Sequence, residues 1–143
     1  MDYMERIDQA ARCVRDALGA AEIAVILGSG LGDFGDALEN AKSLPYAEIP
    51  SFPTATVKGH AGKFICGQLA GKRVLMMSGR FHSYEGHSMQ DVTLPIRVMA
   101  RIGVKTLIVT NAAGGVNTAF SAGTLMLLTD FINLSGQNPL RGE

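Results

Sequence analysis

Tryptophan is absent from this sequence, and cysteine occurs only twice, at Cys13 and Cys66. Cys13 falls on a helical stripe and Cys66 inside a strand pattern. That placement reads as two reduced, packed thiols rather than a disulfide or a metal site. An excess of charge of one sign is missing too, because thirteen Lys and Arg balance thirteen Asp and Glu. With no basic surplus to neutralise a nucleic-acid backbone or an anionic bilayer, neither is expected as a partner. No apolar run reaches the roughly 18 residues of a membrane-spanning helix. The opening Met1-Asp2-Tyr3-Met4-Glu5-Arg6 lacks the basic and apolar regions of a secretory signal, so a cytoplasmic location is expected. Internal repeats, linkers and low-complexity tracts are also absent.

What is present is globular: 143 residues, 47% hydrophobic and 18% charged, a composition and size that predict one domain over 1–143 with a real core. Residues 3–18 place Ile7, Ala10, Ala11, Val14 and Leu18 at helical spacing. Asp2 and Glu5 form a capping-box pattern at its start, and Gly19 is a stop. Strands are expected at 23–27, 63–69 and 73–78, the last two antiparallel through Ala70-Gly71-Lys72, which makes the sheet mixed. A short helix is expected over about 33–39. Residues 40–53, with Pro45, Pro50 and Pro53, read as an irregular connection, and Thr54–Val57 as a short strand. Ser88 and Asp91 look like a helix start, but Pro95 would then fall inside the helix. A start near Thr93, with Pro95 in the first turn, costs less. Its stripe would be Ile96, Met99 and Ala100, ending at Gly103. Strands at 105–110 and 124–133 and a loop over 137–143 complete the chain.

Chemistry-bearing residues gather where apolar strands end. Val74–Met77 runs into Ser78-Gly79 and then a segment holding Arg80, His82, Tyr84, Glu85 and His87. Ala24–Leu27 runs into Gly28-Ser29-Gly30-Leu31-Gly32, and Leu107–Val109 into Thr110-Asn111-Ala112-Ala113-Gly114-Gly115. In open α/β sheets ligands bind beyond the carboxyl ends of the strands, so three such loops could converge on one pocket. The glycine loop reads as an anion cradle, its backbone N–H groups joined by the Ser29 hydroxyl, with the following short helix aiming its N-terminus at the same anion; a tight structural turn is the alternative. It is no dinucleotide fingerprint, since Asp33 stands where the third glycine belongs, and no Gly-Lys-Ser/Thr of a Walker loop exists. The small residues 112–115 would let a flat ligand lie against the backbone, or simply form a tight turn. His60, flanked by glycines in Gly59-His60-Ala61-Gly62, sits at a turn.

Taken together, Gly28–Gly32, Gly59–Gly62, Gly79–Gly86, Thr110–Gly115 and Ser135–Leu140 resemble purine nucleoside phosphorylase of the trimeric class, which prefers 6-oxopurine nucleosides. The resemblance runs in order through nearly the whole chain and corresponds to the N-terminal half of the family's sequences. It implies phosphorolysis of a purine nucleoside by inorganic phosphate to free base and ribose 1-phosphate, with phosphate a substrate and no cofactor or metal. It further implies an α/β sandwich around a mixed, partly barrel-like sheet, and a homotrimer acting in purine salvage. By position, Ser29, His60, Arg80, His82 and the backbone N–H of Ala112 match the family's phosphate ligands. Tyr84, with His82, matches the ribose site, and Ala113 and Gly114 the wall beside the base. His82 is the catalytic side chain by the same match. Methylthioadenosine phosphorylase is the nearest rival; its loop at 112–115 carries a different small-residue pattern.

The residue types suit that chemistry. Phosphate arrives already charged, so the protein must desolvate it and hold it against C1′ while sugar charge develops as in glycoside hydrolysis. Arg80 offers a planar fork, and each bond to a charged group is worth about 1.5–3 kcal/mol. The family's second half supplies the side chains that read the purine. The expectation is therefore that these 143 residues alone have little or no activity and leave sheet edges exposed, with a non-catalytic phosphate-binding piece as the alternative reading.

Overall fold

The computed structural model describes residues 2–53 and 62–140; the expected strand Thr54–Val57 and His60 lie outside the described residues. Helix α1 spans Tyr3–Leu18 and is followed by strand β1, Ile23–Leu27, and a 3₁₀ turn over Gly32–Ala37. Strands β2 (Glu39–Pro45), β3 (Lys63–Leu69) and β4 (Lys72–Ser78) come next, then helix α2 (Met89–Ile102) and strand β5 (Thr106–Val109). The sheet order is β2-β3-β4-β1-β5. β2, β3 and β4 are antiparallel neighbours, whereas β4, β1 and β5 run parallel. The mixed α/β architecture is the expected one, and the sheet is open rather than barrel-like.

α1 forms as its pattern dictates. Ile7, Ala10, Ala11, Val14 and Leu18 are all buried, each larger aliphatic worth about 1.5–3 kcal/mol over its exposed state. The Asp2 N–H donates to Glu5 Oε2 at 3.0 Å. Alternating strand residues face two cores. Ala24, Ile26, Phe64, Cys66, Leu75 and Met77 pack with α1 and α2. Val25, Leu27, Ile65, Val74 and Met76 face the other side with Leu38. β1 is thus buried on both faces, as a continuous apolar run requires. Ala70 and Gly71, at φ 50° and 74°, join β3 to β4 in the two-residue turn whose twist suits a hairpin. Both cysteines are free.

Three expectations are corrected. Residues 39–45 form a strand rather than an irregular connection: β2 pairs with β3, and Pro45 is tolerated because it ends an edge strand. α2 begins at Met89, capped by Ser88, and not near Thr93. The Ser88 Oγ accepts from the Asp91 N–H at 3.1 Å and donates to Asp91 Oδ2 at 2.6 Å, while Arg6 Nη2 lies 2.7 Å from Asp91 Oδ1. That capped and ion-paired start outweighs the bond Pro95 removes, and the buried stripe becomes Leu94, Pro95, Val98, Met99 and Ile102 rather than Ile96, Met99 and Ala100. Finally, 124–133 is not a strand. A strand needs a ladder partner for its backbone groups, and this segment pairs with none of the five strands; Leu125 is 97% and Phe131 82% exposed. β5 itself is exposed along its length, to 60% at Val109, so the expected open edge lies here. No helix among the described residues is long and apolar enough to cross a membrane.

Candidate active site

β1 sits between β4 and β5, and the three parallel strands end level. Leu27 is opposite Ser78, and Ile26 opposite Val109. Their following loops therefore open on one edge of the sheet, where the sequence placed the chemistry. Thr110, one residue past β5, ties them together. Its N–H donates to the Ile26 carbonyl at 3.1 Å and its hydroxyl donates to the same oxygen at 2.8 Å. The hydroxyl also accepts from the Gly28 N–H at 2.8 Å, and the Thr110 carbonyl accepts from Arg80 Nη1 at 3.2 Å.

The glycine loop is shaped by that contact. A Cβ on Gly28 would lie 2.6 Å from the Thr110 carbonyl oxygen and 2.8 Å from the Asn111 Cα, so only glycine allows the two backbones to approach. The chain then turns, Leu31 N–H bonding back to the Gly28 carbonyl at 3.1 Å, with Gly30 at φ 83°, a left-handed value that glycine adopts freely. Ser29 stands exposed at the crest of the turn.

Arg80 follows Gly79, whose carbonyl accepts from the Tyr46 hydroxyl at 2.8 Å. Tyr46 is buried among Phe52, Phe64 and Phe81, and burial pushes its phenol pKa far up, so it holds the loop as a neutral donor. Besides its bond to Thr110, Arg80 donates from Nε to His82 Nε2 at 3.1 Å. His82 Nε2 is thus an acceptor, which puts the ring proton on Nδ1, where it donates to Glu85 Oε1 at 3.0 Å. Glu85 Oε2 also accepts from the His82 backbone N–H at 3.3 Å and lies 3.6 Å from His87 Nε2. The hydrogen bond from His82 holds the Glu85 carboxyl below the usual carboxylate range, against an opposing effect of burial. Tyr84 stacks on His82, ring centroids 4.6 Å apart and planes 20° from parallel, and is 81% exposed.

Of the residues singled out from the sequence, Ser29, Arg80 and His82 are drawn to one sheet edge, and Tyr84 is stacked onto the cluster. Ala112, Ala113 and Gly114 continue from Thr110 as exposed backbone, with the Ala112 carbonyl accepting from Asn111 Nδ2 at 3.4 Å. With its Nε2 engaged by Arg80, His82 offers an anion no side-chain donor in this tautomer; the guanidinium, with five N–H groups and two used, does. Two residues absent from the expected set belong to it. Thr110 links all three loops, and its signal was a hydroxyl at a strand terminus ahead of the small-residue segment 112–115. Glu85 orients His82, and its signal was a carboxylate three residues past a histidine. No group of three or more potential metal-ligating side chains exists among the described residues.

Comparison with known proteins gives a consistent picture. Residues 22–143 match the model of the phosphorylase superfamily. The chain is 55% identical over 139 residues to purine nucleoside phosphorylase 1 of Bacillus subtilis, covering 96% of this chain and 51% of that protein. It is 54% identical over 124 residues to purine nucleoside phosphorylase of Mus musculus, covering 85% of this chain and 43% of that one. Among solved structures, Schistosoma mansoni purine nucleoside phosphorylase in complex with inosine superposes with a TM-score of 0.75 at 43% identity, over 82% of this chain and 41% of that chain. The chain spans about half the length of the curated relatives it matches.

Proposed function

The chain belongs to the phosphorylase superfamily, and on that premise we propose that it serves the phosphorolysis of purine nucleosides, binding inorganic phosphate where its three loops meet. The observation that carries this reading is the pair of hydrogen bonds that Thr110 accepts, from Arg80 at its carbonyl and from the Gly28 N–H at its hydroxyl. It brings a cation, a hydroxyl-bearing glycine turn and the exposed backbone of residues 112–114 together, a donor set that suits a phosphate dianion.

In the proposed reaction a phosphate oxygen attacks C1′ of the ribose as the C1′–N9 bond breaks. The electron pair leaves with the purine, which gains a proton, and the products are free base and ribose 1-phosphate. Phosphate is itself the nucleophile and no other cofactor is needed. Arg80 holds it with charge-assisted bonds, Ser29 and the Ala112 N–H add neutral donors, and His60 is proposed as a further phosphate ligand. His82, fixed by Glu85, keeps the Arg80 fork in orientation and with Tyr84 borders the ribose. The backbone at Ala113 and Gly114 flanks the purine. The bound anion also lowers the cost of positive charge developing on the sugar. The same reading makes residues 1–143 part of a nucleoside phosphorylase domain, acting in 6-oxopurine salvage in the cytoplasm as a homotrimer. A second reading, phosphate binding without turnover, is favoured by one observation: 111–138 is exposed throughout, so the proposed base site has no cover among the described residues.

Titration with inorganic phosphate followed by calorimetry, beside a xanthine-oxidase-coupled inosine assay, tests both. Arg80→Ala should weaken phosphate binding by roughly 10- to 100-fold, the loss of one charge-assisted bond. Formation of uric acid supports phosphorolysis, and binding without turnover supports the second reading. Phosphate affinity that is the same with and without Arg80 would overturn both.

A further inference from the structure

We propose that Thr110 is the positioning residue of the phosphate receptacle, fixing the Ser29 turn and the Arg80 guanidinium to one another; the inference rests on the phosphate reading above. β5 is only four residues long and exposed along its length, so its carboxyl end has little packing to hold it. Thr110 nevertheless is half-buried and makes four hydrogen bonds. Two of them extend the β1–β5 pairing one step past the strand, with the hydroxyl standing in for backbone. A hydroxyl has one proton and two lone pairs; here the proton goes to the Ile26 carbonyl and a lone pair takes the Gly28 N–H. The Thr110 carbonyl then sets where the Arg80 fork lies, since Nη1 donates to it.

The direction of these bonds separates a positioning role from a merely structural one. None reaches into either core. Two run to the Ile26 carbonyl at the end of β1, one comes from the Gly28 N–H immediately before Ser29, and one comes from Arg80 itself. Loss of the hydroxyl would leave the fold's cores intact and release the Ser29 turn from the strand that anchors Arg80.

The test compares Thr110→Val, which keeps the shape without the hydroxyl, with Thr110→Ser, which keeps the hydroxyl. Thr106→Val is the control on the same strand. Affinity for inorganic phosphate, the thermal unfolding midpoint and exchange of the Gly28 amide are measured for each. Thr110→Val should lose at least about tenfold in phosphate affinity and lose Gly28 protection, Thr110→Ser should stay within about threefold of wild type, and Thr106→Val should match it. If Thr110→Val does not fold, Thr110→Cys replaces it, its thiol a weaker hydrogen-bonding group; affinity between those of wild type and Arg80→Ala supports the role, and wild-type affinity refutes it. Undiminished phosphate binding in folded Thr110→Val would overturn the Thr110 inference alone. A wild-type chain with a protected Gly28 amide and no phosphate affinity would instead overturn the function proposed above, and the Thr110 role with it.

Discussion

Gly28→Ala is the sharpest structural test of the loop junction. The added Cβ would meet the Thr110 carbonyl oxygen at 2.6 Å, the Thr110 carbonyl carbon at 2.9 Å and the Asn111 Cα at 2.8 Å, all backbone atoms. Relief to ordinary contact requires the end of β5 to move by roughly 1 Å, because no flexible side chain is there to swing away. That movement also stretches the Gly28 N–H to Thr110 hydroxyl bond, now 2.8 Å, beyond hydrogen-bonding range. Overpacking of this kind costs about 1–3 kcal/mol and the lost bond about 0.5–1.5 kcal/mol, so the variant should lose about 1.5–4.5 kcal/mol. For a domain of this size that is a fall of roughly 6–15 °C in Tm, read by circular dichroism and checked by urea unfolding. Gly32→Ala is the control: its Cβ would meet nothing within 4 Å, and its stability should stay within about 0.5 kcal/mol of wild type. A Gly28→Ala protein melting at the wild-type temperature would show that the β1 and β5 ends are not held together as described.

Two further outcomes follow from the hydrogen-bonded carboxylates and the helix cap. Because the folded pKa of Glu85 is lowered, chiefly by the His82 hydrogen bond, its contribution is full above the unfolded value of about 4.3 and is lost as pH falls through the folded one. Glu85→Gln should therefore be less stable than wild type at pH 7, with the gap closing below about pH 4; a gap of equal size at both ends of a urea-unfolding pH series would refute this linkage. Ser88→Ala removes the acceptor of the Asp91 N–H and should cost about 1 kcal/mol, within a range of about 0.5–2. In the folded protein burial pushes the Asp91 carboxyl up, but bonds from Ser88 and Arg6 outweigh it and hold it low. The same substitution should thus raise the Asp91 pKa, and an NMR titration finding it unmoved would remove Ser88 from that balance.

The legible parts of the fold were those in which one periodicity dominates. α1, β1 and the β3–β4 hairpin were readable from residue spacing because each buries its apolar residues against its neighbours, and the convergence of three loops followed from apolar strands that end in small or polar loops. Elements decided by distant partners were not readable. β2 buries only one of its first six residues, Leu44, and is a strand because β3 offers it a ladder. The start of α2 was hidden because the penalty of Pro95 is local and visible, whereas the Arg6–Asp91 pair that offsets it joins residues 85 apart. Segment 124–133 misled in the opposite way: its apolar character resembles a strand, yet no neighbour pairs with it. In the proposed site, Arg80 and Ser29 were singled out by residue type. Thr110 was not, because its importance lies in which backbone groups its hydroxyl reaches.

The glycine loop also shows where the charge at this edge comes from. A helix following β1 could have aimed its positive end at an anion, but Gly32–Ala37 is a six-residue 3₁₀ turn with no side-chain cap bond at its start, too short for aligned peptide dipoles to sum to much. The turn at Ser29 supplies donors without net charge, and the exposed backbone after Thr110 does the same. For the proposed phosphate site a cation is therefore required, and Arg80 is the one whose guanidinium is bonded at the junction. Its partner His82 accepts rather than donates, and the balancing carboxylate of Glu85 lies on the far side of that ring. This spacing matters: a carboxylate bonded directly to Arg80 would neutralise the fork and occupy the donors an anion needs, whereas one held beyond a neutral imidazole fixes the fork's orientation and leaves its remaining N–H groups open.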